Sequence, residues 1–225
     1  MLVLTSSTHP ASFIKIGVTR EKRFPRKCTF GTKTLKFLDH QLGQEGLRPD
    51  PGKVKAIQDV PRPVDACRVR RILGAFGYYR KFIPKYAVLS EPLVNLTRKK
   101  VDFNWGKKEE EAFNQIKSEL ASCITLTHLN SKDPIILKTD ARLVGIAGIL
   151  IQEQNKELKI VACTSRHLKP AEKNYSIMEI EALAVIYSLQ KFRHYLLGRH
   201  FKIVTDHSAL KVLNSRTTAE EWFLV

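Results

Sequence analysis

Two runs that read as strands, Ile135-Ile136-Leu137-Lys138-Thr139-Asp140 and Phe201-Lys202-Ile203-Val204-Thr205-Asp206, end in the same Thr-Asp pair, and an apolar helical stretch carrying Glu181 lies between them. Neighbouring strands that both stop at an Asp place both carboxylates at one edge of a sheet, where a helix laid across the sheet can add a third. Carboxylates at contact distance raise each other's pKa unless a cation neutralises them, so convergence of Asp140, Glu181 and Asp206 points to a divalent metal. Hard oxygen ligands suit Mg2+ or Mn2+, and two such ions can stabilise the attacking and leaving oxygens of a phosphodiester. Glu179 lies on the same helix, and spacing alone does not choose between it and Glu181. Each carboxylate also has an ordinary reading as a strand end or a cap; Asp206 before Ser208-Ala209-Leu210 is a good helix N-cap.

The elements that must position these residues follow from periodicity and punctuation. Ile135 to Thr139, Gly145 to Gln152 and Leu158 to Ser165 read as three strands, with Asn155-Lys156 in the second turn. Their close spacing implies an antiparallel meander. A long helix over 175–196 is nearly apolar all round in its middle, as a helix packed across a sheet should be, and Gly198 ends it. The strand from Phe201 returns after that crossover and should lie parallel to the first. Upstream, Gly31-Thr32-Lys33 reads as a hairpin turn whose second strand is Thr34 to Leu38. Helices are expected over 52–59, 66–82, 86–96 and 106–122, the first two capped by Asp50 and Asp65, and Asn130 to Pro134 reads as a domain boundary. The fold class is α+β, a small helical region followed by a sheet with one crossover helix.

The chain has 225 residues with 38 Lys and Arg against 22 Asp and Glu, a formal charge of +16, so a polyanion is the expected partner. Residues 1–100 hold 21 basic and 7 acidic side chains, and the remainder 17 and 15, which makes the front half the binding half. In the 66–82 helix, Val69, Ile72, Leu73, Phe76 and Tyr79 form an apolar face, while Arg68, Arg70, Arg71, Arg80 and Lys81 lie off it. That basic face could grip phosphates; a solvated surface is the plainer alternative. Cys28, Cys67, Cys123 and Cys163 lack zinc or disulfide spacing and read as buried thiols in a reducing compartment, cytoplasm or nucleus. Leu143 to Ile151, the longest apolar stretch, is far short of a membrane span, so no membrane partner is expected. Residues 1–20 carry Ser and Thr, no acid, and only Lys15 and Arg20 as bases, and read as a weakly ordered terminus more than an organelle presequence.

The words around these stations resemble a known family. Lys169 to Ser176, Lys191-Phe192-Arg193-His194-Tyr195-Leu196 and Thr205-Asp206-His207 are similar to the ribonuclease H segment of gypsy-type LTR retrotransposon Pol polyproteins. Phe37-Leu38-Asp39-His40, Gly46 to Pro51, Pro61-Arg62-Pro63 and Leu73-Gly74 through Tyr78 to Pro84 resemble the end of the palm and the thumb of the same reverse transcriptases. The resemblance implies an unmatched stretch at 1–26, the end of the palm at 27–48, thumb and connection helices at 49–130, and an RNase H-like domain at 131–225 that lacks its final elements. It implies that Asp140, Glu181 and Asp206 hold two Mg2+ or Mn2+ ions, Glu181 being chosen because Glu181-Ala182-Leu183-Ala184 fits the family pattern. The implied reaction is hydrolysis of the RNA strand of an RNA-DNA hybrid in the parent Pol protein, weak or absent in this chain; the alternative is an inactive nucleic-acid-binding relic. The family's polymerase turn needs Asp-Asp, which occurs nowhere here, so polymerisation is not expected. The family usually has Gly where Asp39 stands and Ser where Arg142 stands, the latter placing a cation beside the first expected ligand.

Overall fold

The computed structural model describes residues 4–5, 15–16, 32–99, 101–122 and 124–206. Strands β1 (Leu4–Thr5) and β2 (Lys15–Ile16) pair antiparallel; the rest of the expected weakly ordered terminus, together with Cys28 and Cys123, lies outside the described residues. Of the other two thiols, Cys163 is buried as expected but Cys67 is exposed, because it falls on the open side of its helix.

Where a hairpin closing at Leu38 was expected, the chain forms a three-stranded meander, β3 (Thr34–Phe37), β4 (His40–Gly43) and β5 (Gly46–Pro49). Thr34–Phe37 is its first strand. The turn is Leu38-Asp39, both residues left-handed at φ 47° and 57°, a conformation in which glycine or asparagine is the usual signal. Aromatic hydroxyls hold that turn: Tyr78 Oη donates to the Leu38 carbonyl at 2.6 Å, and Tyr79 Oη to that of Asp39 at 3.5 Å. His40 is buried beneath them among the rings of Tyr78, Tyr79 and Phe82, its Nδ1 bonded to the Leu38 carbonyl.

Asp50 accepts from the Gly52 N–H at 3.1 Å and starts α1 (Pro51–Gln58); Asp65 accepts from the Arg68 N–H at 2.7 Å and starts α2 (Ala66–Tyr78). The expected 66–82 helix ends at Tyr78 and tightens into a 3-10 turn, Arg80–Phe82, ahead of Pro84. The expected 86–96 helix is two short ones, α3 (Tyr86–Leu89) and α4 (Glu91–Asn95), broken at Ser90 because Pro92 starts the second. Helix α5 (Lys107–Ala121) closes the helical region, where Phe76, Phe82, Ile83, Leu93, Phe113, Ile116 and Leu120 form one core.

The four-stranded sheet has the order β8-β7-β6-β9, from β6 (Ile135–Arg142), β7 (Gly145–Gln154), β8 (Glu157–His167) and β9 (Phe201–Val204). Strand β9 pairs parallel to β6, as the crossover requires, and α6 (Ile177–Leu196) covers one face. Ile135, Leu137 and Leu150 meet Val185, Leu189, Phe192 and Leu196 there, each side chain contributing about 1.5–3 kcal/mol of burial. Helix and strand approach closely at Gly148, where a Cβ would stand 2.7 Å from Ser188 Cβ.

Two measurements check this packing. Gly148→Val should lower stability by about 1–3 kcal/mol, seen as a lower urea midpoint, because Ser188 sits on a helix that cannot retreat. Burial lowers the pKa of His40 and of His167. As pH falls through about 6.5 the unfolded chain therefore takes up protons that the folded chain refuses. Stability should be present at pH 7.5 and decline toward pH 5, a decline that His40→Gln reduces.

Candidate active site

Alternation along β6 sends Ile135 and Leu137 toward α6, and Asp140 to the opposite face. Asp140 pairs with Ala147 on β7 and Ala147 pairs with Ser165 on β8, so the three form a row across the sheet. The start of α3 lies on that row. Lys85 Nζ is 3.0 Å from Asp140 Oδ1, and the Ala87 N–H donates to Ser165 Oγ at 3.1 Å. Arg142 Nε stands 3.9 Å from Asp140 Oδ2, an oxygen that is buried with no hydrogen-bond partner among the described residues.

Glu181 comes to the sheet from the other side. Ser176 caps α6, and Glu179 is consumed by that cap: its Oε2 accepts from the Ser176 N–H at 2.7 Å and from Ser176 Oγ at 2.8 Å. Those bonds hold the Glu179 carboxyl below the usual carboxylate range. Glu181, two residues on, is buried, and Thr205 Oγ1 donates to its Oε2 at 3.4 Å. Asp206 is exposed just past β9. The parallel ladder ends at Lys138 opposite Val204, so Asp140 and Asp206 follow it at equal offsets. Because β6 runs on to Arg142 while β9 stops at Val204, β6 from Thr139 onward has no β9 partner.

The donor set suits a hard divalent ion, but its placement does not. Among the described residues no three His, Cys, Asp or Glu side chains form a group that could hold a metal ion. Asp140 has two cationic side chains at its oxygens, and Glu181 lies across the sheet from it. Lys85 was not foreseen. Nothing local marks it, since its partner lies on another element, and the only hint was the cation Arg142 at a position where Ser is usual in the resembled family.

Of the basic residues, Arg68, Arg70, Arg71 and Arg80 are exposed along α2 and the turn that follows. Arg68 Nε is 3.7 Å from Asp65, and Arg70 donates to the Thr97 carbonyl at 3.3 Å. Lys81 differs: it is half-buried, 5.2 Å above the Phe82 ring, and desolvation lowers its pKa. At Gly74 and Gly77 a Cβ would meet nothing within 4 Å, which leaves α2 a smooth strip beside its arginines.

Residues 105–203 match the family described as an RNase H-like domain found in reverse transcriptase. The Retrovirus-related Pol polyprotein from transposon 297 of Drosophila melanogaster is 36% identical over 204 residues, 90% of this chain and 19% of that protein. The Transposon Tf2-3 polyprotein of Schizosaccharomyces pombe is 34% identical over 187 residues, 82% of this chain and 14% of that protein. This chain thus spans a fifth or less of the length of the curated relatives it matches. A foamy viral protease-reverse transcriptase solved in complex with dsDNA shares the fold at a TM-score of 0.66 and 19% identity, over 88% of this chain and 43% of that one. The same viral protein solved with an RNA/DNA hybrid matches at 0.66, over 88% of this chain and 28% of that one. The chain belongs to the reverse transcriptase RNase H-like family of gypsy-type LTR retrotransposon Pol polyproteins.

Proposed function

We propose that this chain is the thumb-to-RNase H portion of a retrotransposon reverse transcriptase. In this reading the end of the palm lies at 27–48, thumb and connection at 49–130, and the RNase H-like domain at 131–225. It grips a nucleic-acid duplex, an RNA-DNA hybrid in the parent Pol protein, through Arg68, Arg70, Arg71, Arg80 and Lys81. Cutting of the RNA strand belongs to the parent protein, with Asp140, Glu181 and Asp206 as the candidate stations for two Mg2+ or Mn2+ ions, stations that the placement in this chain, with Lys85 and Arg142 on Asp140, does not bring together as a metal site. The observation that carries this reading is the end of the parallel ladder, where Asp140 and Asp206 sit at equal offsets on neighbouring strands. That the related viral enzyme was solved with dsDNA and with an RNA/DNA hybrid supports duplex binding.

One observation favours a second reading for the chain by itself, duplex binding without turnover: Asp140 already has Lys85 and Arg142 as counter-cations. A labelled RNA-DNA hybrid incubated with Mn2+ and the purified chain separates the two. Little or no cleavage is expected. Robust cleavage lost in Asp140→Asn would overturn the second reading, and no cleavage by the parent Pol protein would overturn the first.

Binding should be salt-dependent in either case. The logarithm of duplex affinity should fall linearly with the logarithm of salt, and Arg71→Ala should reduce the slope by about 0.9, one phosphate contact. Asp206→Asn should leave that affinity unchanged, and a salt-independent affinity would exclude a phosphate grip.

A further inference from the structure

We infer that Lys85 is a built-in counter-cation for Asp140: its ammonium, helped by the Arg142 guanidinium, takes the carboxylate a divalent ion needs and thereby fastens the helical region to the sheet. The inference rests on the proposed reading of Asp140 as a metal station and deepens it by naming what regulates that station. Three independent features converge on Lys85. Its backbone is left-handed at φ 56° and ψ 28° without being glycine or asparagine, a conformation that persists only where its surroundings enforce it. Its Nζ lies 3.0 Å from Asp140 Oδ1, a carboxylate only 18% exposed, while Arg142 is on the other oxygen at 3.9 Å. Two residues later the Ala87 N–H is bonded to Ser165, in the same cross-strand row as Asp140. The contact is therefore a clamp with two points.

The sheet is shaped to receive it. At Gly145 a Cβ would lie 2.7 Å from the Arg166 carbonyl oxygen and 3.3 Å from Ala87 Cβ, so the missing side chain is what lets α3 lie this low. A carboxylate holding two monovalent cations carries a net positive charge with them. A divalent ion approaching the same oxygens is repelled by both cations at a few Å, whereas with Lys85 withdrawn it meets one fewer. Metal binding and docking of α3 are then competing uses of one carboxylate, and each must weaken the other by the same factor. Arg142 alone could not do this, because it projects from the sheet itself and ties nothing to it.

The test is Mn2+ binding by the full chain, read from the electron paramagnetic resonance of free Mn2+ with no nucleic acid present. Lys85→Met should bind Mn2+ roughly tenfold more tightly than the unaltered chain, the size of one unit charge removed at a partly screened site. Lys85→Arg should stay at the unaltered level, and adding Asp140→Asn to Lys85→Met should abolish the gain. Equal affinities for the unaltered chain and Lys85→Met overturn the inference, as does a gain that survives Asp140→Asn. Should Lys85→Met not fold, Arg142→Ser asks the same question away from the α3 contact: a severalfold gain is expected, and no gain overturns the inference. A gain in Mn2+ affinity without hybrid cleavage by the parent Pol protein sinks the nuclease reading alone. Robust cleavage with unchanged affinity sinks the counter-cation alone.

Discussion

Strand β6 is covered on one face by α6, through Leu137 and Leu189, and near its end the start of α3 encloses Asp140 from the other through Lys85, while Lys138 on that second face stays exposed. A carboxylate so enclosed is costly to leave unpaired, since burying a lone one costs several kcal/mol. Several polar groups around the sheet have partners, although Thr139 Oγ1 and Asp140 Oδ2 are buried without a hydrogen bond among the described residues. Asp140 takes Lys85 and Arg142, Glu181 takes Thr205, and Gln152, fully buried farther along the sheet, ties β7 to the carbonyls of Asn130 and Asp133. Two glycines make the enclosure possible, Gly148 under α6 and Gly145 under α3.

The same enclosure links the proposed duplex grip to the carboxylates. Helix α2 carries the exposed arginines on one side and, through Tyr78 and Tyr79, holds the Leu38-Asp39 turn on the other. Its buried face, with Val69 and Phe76, shares a core with Tyr86 and Leu93 from α3 and α4. Whatever α2 grips is therefore connected by one packed core to the residue that neutralises Asp140. A parallel strand pair needs a crossover, and a crossover helix needs a partner on the sheet's far face if that face is not to be wet. Here that partner is α3, one turn long, which has room for little besides the clamp.

Much of the fold was legible in the sequence. Asp50 and Asp65 announce their helices because a cap is a local hydrogen bond, and the parallel return of Phe201–Val204 follows from the helix before it. The β3–β5 meander was missed since its turn has Leu38 and Asp39 where a glycine would have been the signal, the missing permissiveness being offset by two tyrosines from α2. The break between α3 and α4 was written in Pro92, but apolar residues on both sides concealed it.

For the carboxylates the division is sharper. Sequence singled out Asp140, Glu181 and Asp206 as the proposed stations, because Thr-Asp endings, helix spacing and charge are properties of neighbours along the chain. It also left Glu179 and Glu181 level, and the capping of Ser176 separated them only once the helix had formed. Tertiary structure alone decided what each carboxylate touches. Lys85 and Asp140 are far apart in the chain and meet because α3 must cover the face of the sheet that α6 leaves open, a packing requirement on buried surface that no local pattern encodes.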